Sequence, residues 1–163
     1  MKFVRLDSTD LRILRELQQD GGMTNVALSK KVGISPPPCL RRVRALEAAG
    51  YIRGYHADVA AEKLGFGITV FALVSLVNHS ENDIEHFSKL IESWPRVRES
   101  YLMTGDSDFL LKIVAEDWEA FQKFITTQLS ATPNVAHIRS MPAMRRTKYA
   151  PGVPLEEKVG VRF

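Results

Sequence analysis

Near residue 60 the hydrophobic residues of this chain change their period, and the change divides it into two parts of different construction. Up to that point apolar residues recur every three or four positions between glycine and proline stops, the pattern of short amphipathic helices. Beyond it, residues 66–77 form a β-rich run bearing Ile68, Val70, Phe71, Leu73, Val74, Leu76 and Val77. Both alternating faces of that run are apolar, so both faces of the strand are expected to be covered. We take residues 1–60 and 61–150 as two small domains, with the joint within residues 57–65 and an aperiodic tail at 151–163 that is expected to be mobile.

The first part reads as three helices. Asp7 or Ser8 caps the first, whose Leu11, Leu14 and Leu17, with Ile13, lie to one side, and Gly21-Gly22 ends it. Thr24 caps a second, short helix with Leu28 and Val32 one turn apart, ended by Gly33. Ser35 caps a third, with Pro36 at the first helical position, where its missing N–H is not needed, and Gly50 closes it. Residues 51–56 then look like the start of a short hairpin, so the part as a whole suits a winged helix-turn-helix.

In the second part a helix at about 82–94 carries Ile84, Phe87, Ile91 and Trp94 in register. Strands at about 97–103 and 109–115 flank the turn Thr104-Gly105-Asp106-Ser107-Asp108. A second helix bears Trp118, Phe121, Ile125 and Leu129, and a last strand runs from about 135 to 144. Both tryptophans are expected in the core. The order βαββαβ is that of a ferredoxin-like domain, giving the chain an α+β fold class. The last strand then lies at a sheet edge, where Pro142 is tolerated. Helices cover only one face of such a sheet, so a second copy of the chain is the simplest cover for the other.

Charge follows the same division. Residues 1–60 hold ten Lys and Arg against six Asp and Glu, whereas residues 61–163 hold twelve against thirteen. The basic excess sits where phosphates would be met. Placed at 100° per residue, Cys39, Val43 and Leu46 share one side of the third helix, and Arg41, Arg44, Ala45 and Ala48 share the other. A helix that enters the major groove needs such an apolar anchor and an outward side of small and basic residues. From Lys30 to Arg44 there are five basic residues and no acidic one. Arg41 and Arg44 are assigned to base edges or nearby phosphates and Lys30, Lys31 and Arg42 to the backbone of double-stranded DNA, with Ser35 as a further DNA-binding residue. One such module on one half-site binds weakly, so a dimer on a roughly palindromic site is expected.

Other chemistry finds little footing. His56, His79, His86 and His137 are scattered, without the spacing of a metal site. No nucleophile–base pair or phosphate-cradling glycine loop appears, so neither enzyme activity nor a cofactor is expected. The single cysteine, Cys39, falls on a buried stripe and cannot form an internal disulfide, which fits a reducing cytoplasm. No apolar stretch approaches a membrane span. Arg145, Arg146 and Lys148 read as a solvated strand end that could also touch DNA.

Five stretches resemble the Lrp/AsnC family of prokaryotic regulators: Asp-Ser-Thr-Asp-Leu-Arg-Ile-Leu at 7–14, Leu-Ser-Lys-Lys-Val-Gly-Ile-Ser at 28–35, Cys-Leu-Arg-Arg-Val-Arg-Ala-Leu-Glu at 39–47, Ala-Gly-Tyr-Ile-Arg-Gly-Tyr at 49–55 and Thr-Gly-Asp-Ser-Asp-Phe-Leu-Leu at 104–111. Pro133-Asn134-Val135 is similar to a Pro-Gly-Val of that family, with asparagine in place of glycine, and Pro36-Pro37-Pro38 is stiffer than usual. The resemblance implies a regulator of amino-acid metabolism whose second domain pairs through its sheets. It also implies homodimers assembling into an octameric or similar ring, with a small amino-acid effector held between dimers near residues 104–108.

On that basis Met103, Thr104, Gly105, Asp106 and Asp108 are the candidate effector residues. Backbone N–H groups would take the carboxylate, and Asp106 or Asp108 the ammonium. The same residues also suit a plain hairpin turn, which needs no ligand. Two other functions stay open at this point: an architectural DNA-binding protein without an effector, and a regulatory module of a biosynthetic enzyme.

Overall fold

The computed structural model describes residues 6–155. The chain divides into two compact units, one made of Met1–Asp58 with Lys148–Phe163 and the other of Val59–Thr147.

In the first unit α1 spans Ser8–Gln19, α2 Asn25–Val32 and α3 Pro36–Ala48. Asp7 starts α1 with a capping box: its carboxylate accepts from the N–H groups of Thr9 and Asp10, and the Asp10 carboxylate accepts from the Asp7 N–H. Gly33 ends α2 at φ 73°, with Ile34 N–H reaching back to the Ser29 carbonyl at 3.0 Å, a left-handed cap that turns the chain sharply into α3. Ile13, Leu28, Val32, Cys39 and Leu46 form the core where the three helices meet, with Leu14, Leu17, Val43 and Ile52 packed around it. Residues 51–60 run on as chain outside any strand. The hairpin start expected at 51–56 is therefore extended chain without a ladder. Tyr55 holds it in place, donating its hydroxyl to Glu47 of α3 at 2.9 Å.

The second unit opens with a 3₁₀ turn at Ala61–Leu64 and then β1 (Ile68–Leu76), α4 (Glu81–Glu92), β2 (Val97–Leu102), β3 (Phe109–Ala115), α5 (Trp118–Phe124) and β4 (Val135–Pro142). The strands form one antiparallel sheet in the order β2-β3-β1-β4, the ferredoxin-like arrangement. Val70, Ala72, Val74 and Leu76 alternate toward a core shared with Phe87, Ile91 and Trp94, and with Phe121, Phe124 and Leu129. The alternate residues Phe71, Leu73, Leu110 and Met141 lie side by side on the opposite face, half-buried.

Two details of this unit depart from the sequence expectation. Trp118 is 53% exposed, standing at the first position of α5 edge-on to Phe121 rather than in the core. Phe124 joins Phe121 in the core at regular helical spacing, and a π turn at Ile125–Leu129 continues α5, with Leu129 buried. Asn134 has φ 73°, as expected of a residue in a glycine position, and its side chain adds a clasp. Its Oδ1 accepts from Asn78 N–H at 2.7 Å while its Nδ2 donates to the Asn78 carbonyl at 3.0 Å, fixing the end of β1 beside β4.

Candidate functional site

The reading helix is placed by contacts on both of its neighbours. Asn25 of α2 donates its side-chain amide to the Pro36 carbonyl at 2.8 Å, locking the angle of the turn. Arg42 of α3 reaches α1, where one guanidinium nitrogen donates to Asp7 at 2.8 Å and to Asp10 at 2.7 Å. Asp10 is nearly buried, so this pair resists water better than an ordinary surface bridge. The two carboxylates hold the Arg42 pKa above its ordinary value, with the bond to Asp10 the larger cause. The Asp10 N–H, followed by Arg42, holds Asp7 below its own. Lys31 of α2 is likewise engaged, donating to Glu16 of α1 at 2.7 Å. Burial raises the pKa of the Cys39 thiol on the inner face of α3, leaving it a packing group rather than a reactive one.

The outer face is different. Arg41 and Arg44 are exposed and have no hydrogen-bond or ion-pair partner among the described residues, and the same holds for Lys30. Ala45 and Ala48 beside them are exposed and small. Ser35 occupies the cap position of α3 without a side-chain cap bond, so its hydroxyl is not consumed by the helix. Of the six residues assigned to DNA, the fold thus leaves Lys30, Ser35, Arg41 and Arg44 available and occupies Lys31 and Arg42. Asn25, Asp7 and Asp10, which position α3, escaped the sequence reading. Asp7 is one of the two caps expected for α1, but no local pattern announces the arginine it receives.

The second candidate site is the connection between β2 and β3. Met103 N–H bonds the Asp108 carbonyl at 2.7 Å and closes the loop, and Ser75 donates to the Asp106 carbonyl at 3.1 Å. Asp108 turns back into the sheet: its carboxylate accepts from Leu76 N–H at 2.7 Å and lies 3.2 Å from His79. Asp106 points out and has no side-chain partner among the described residues, as does Thr104. Two open clefts of about 450 and 290 Å³ lie along α5, and neither is lined by this loop. Residues 103–106 are exposed in a single chain. Small-molecule sites bury most of their ligand, so this one lacks a wall.

Comparison with known proteins places both units. Residues 6–53 match the model of a winged helix-turn-helix DNA-binding domain, and residues 69–153 match that of the Lrp/AsnC ligand binding domain. The leucine-responsive regulatory protein of Rhizobium meliloti (strain 1021) is 50% identical over 147 residues, covering 90% of this chain and 94% of that protein. The chain belongs to the Lrp/AsnC family. Among solved structures, a transcriptional regulator of Neisseria meningitidis in complex with L-Met aligns with a TM-score of 0.88 at 36% identity, over 93% of this chain and 97% of that one. An AsnC family transcriptional regulator from Agrobacterium tumefaciens aligns with a TM-score of 0.86 at 35% identity, over 92% and 97%. This Lrp/AsnC protein is thus a DNA-binding transcriptional regulator with a ligand-binding second domain. Among the described residues no helix is long and apolar enough to cross a membrane, and no three His, Cys, Asp or Glu side chains are grouped to hold a metal.

Proposed function

We propose that this regulator reads a roughly palindromic double-stranded site through Arg41 and Arg44 and responds to a small amino acid held at residues 103–106. The observation that carries the DNA half is the division of labour among neighbouring cations. Arg42 and Lys31 spend their charge on α1, whereas Arg41 and Arg44 project unpaired from a helix whose other side is buried. Convex, positively charged helices of this kind suit the major groove and its flanking phosphates. Lys30 and Ser35 serve as backbone contacts.

The half-buried apolar row Phe71, Leu73, Leu110 and Met141 supports a homodimer through the uncovered sheet face. Dimers then meet as an octamer or similar ring, and a neighbouring dimer supplies the wall that the loop lacks. In that enclosure the free N–H groups at 104–106 take the effector carboxylate and Asp106 takes its ammonium. Asp108 shapes the loop instead of binding. An amino-acid effector also agrees with the L-Met complex of the Neisseria regulator.

A selection from random duplex DNA, followed by affinity measurement on the recovered site, tests the first half. The expected outcome is a site with two related half-sites, and a steep fall in affinity with salt. Equal affinity for all sequences would reject specific reading and favour an architectural protein. A thermal-shift screen against the twenty amino acids tests the second half. A ligand at 100 times its dissociation constant adds about 2.7 kcal/mol, a shift that melting detects.

A further inference from the structure

Helix α1 has two covered sides, although a three-helix core explains only one. Ile13 is fully buried against α2 and α3. Arg15 and Gln18 lie three positions apart on the far side of the helix, roughly opposite Ile13, where solvent would be expected. Both are nonetheless half-buried. The cover is the chain's own end, which passes through the other unit and returns at Lys148.

The contact is made almost wholly to the backbone of the returning chain. Gln18 grips one residue from both ends of its side-chain amide: Oε1 accepts from Val153 N–H at 2.8 Å and Nε2 donates to the Val153 carbonyl at 3.1 Å. One turn away, Arg15 donates through Nε and Nη2 to the Leu155 carbonyl at 3.2 and 2.9 Å. The Val153 side chain is 63% exposed, so what is recognised is extended peptide rather than a particular side chain. Gly152 is the exception. It has φ 84°, and a Cβ there would lie 2.0 Å from Gln18 Oε1. Gln18 could move aside only by giving up both bonds to Val153.

We propose that the outer face of α1 is a docking site for an extended chain segment, occupied by residues 148–155 of the same chain, which thereby complete the DNA-binding unit. The ligand-binding domain model extends to residue 153, so the family boundary runs through this segment while its contacts belong to the other unit. The strap has a mechanical role. The same α1 holds Arg42 of α3 through Asp7 and Asp10, and Lys31 of α2 through Glu16. Fixing its far side stiffens the frame that presents Arg41 and Arg44.

Hydrogen–deuterium exchange on the full-length protein tests this, following the Val153 amide and the peptide that contains it. Wild type is expected to protect this amide, and Gln18→Ala to speed its exchange by about fivefold or more, the effect of losing bonds worth ~1 kcal/mol. Gly152→Ala acts from the strap side and should release the same amide and speed exchange in α1 and α3, the frame that the strap stiffens. Free-chain exchange at Val153 in wild type, or equal rates in wild type and Gln18→Ala, overturns the docking. Protection that disappears on dilution as oligomers dissociate assigns the occupant to a second copy and overturns docking within one chain.

Discussion

On the outer face of α3 the groups that matter point outward without partners, whereas at residues 103–108 the better-placed acid is turned inward and only Asp106 is left free. The difference follows from what each surface has to recognise. DNA brings its own concave groove and its own charge, so a single convex helix can be complete before it binds. A free amino acid brings neither, and a loop on the edge of one sheet cannot enclose it. The DNA-reading surface is thus finished within one chain. On the proposed reading the effector surface is half of a site that assembly completes. Coupling the second to the first then needs no special device beyond an assembly that changes when the ligand is bound.

The largest expected effect falls on the finished surface. Arg41→Ala combined with Arg44→Ala should lower specific DNA affinity by roughly a hundredfold or more, at about 1–3 kcal/mol for each residue, while melting is unchanged. A binding titration beside a thermal melt reads both. Arg42→Ala, one position along, should do the reverse. It strands the nearly buried Asp10 and should cost about 2 kcal/mol of stability in the DNA-binding unit, seen as a lowered denaturant midpoint.

Within the loop the two aspartates should separate in the same way, with smaller effects. Asp108→Ala removes the acceptor of Leu76 N–H and is expected to cost about 1 kcal/mol in the sheet unit. Asp106→Ala should leave stability alone and remove the amino-acid thermal shift. A full shift in that variant would place the ligand elsewhere.

The smallest effect is on pH. Asp7 is held below its ordinary value of 3.8, so the native state sheds its proton more readily than the unfolded chain. Its contribution is present above about pH 3.8 and is lost as pH falls through the depressed native value. Solvent screening keeps it to a fraction of a kcal/mol, since the side chain is half-exposed. The stability difference between wild type and Asp7→Asn, measured from pH 6 down to 2, should shrink toward the acid end.

What was legible in the sequence was whatever short-range rules govern. The caps expected at Asp7 or Ser8, Thr24 and Ser35, the glycine stops and the β-rich run of 66–77 each depend on neighbours a few residues away, and each led to the right element. The inward side of α3 and the outward pair Arg41 and Arg44 followed from helical geometry alone. What escaped were pairings across long separations. No local pattern says that Arg42 will meet Asp10, that Asp108 will cap the end of β1, or that Gln18 will clasp Val153. Trp118 shares the helical stripe of Phe121, but it stands at the first position of α5, where it is exposed.

On the proposed reading, unpaired arginines read DNA while paired ones hold the frame. Arg41→Ala and Arg42→Ala, measured side by side for operator affinity and for melting temperature, test it most directly. Arg41→Ala should lose affinity by about tenfold or more with no change in melting, and Arg42→Ala should melt several degrees lower, at ~4–8 °C per kcal/mol for a unit of this size. An Arg42→Ala protein that melts like wild type yet binds DNA more weakly than Arg41→Ala would contradict it.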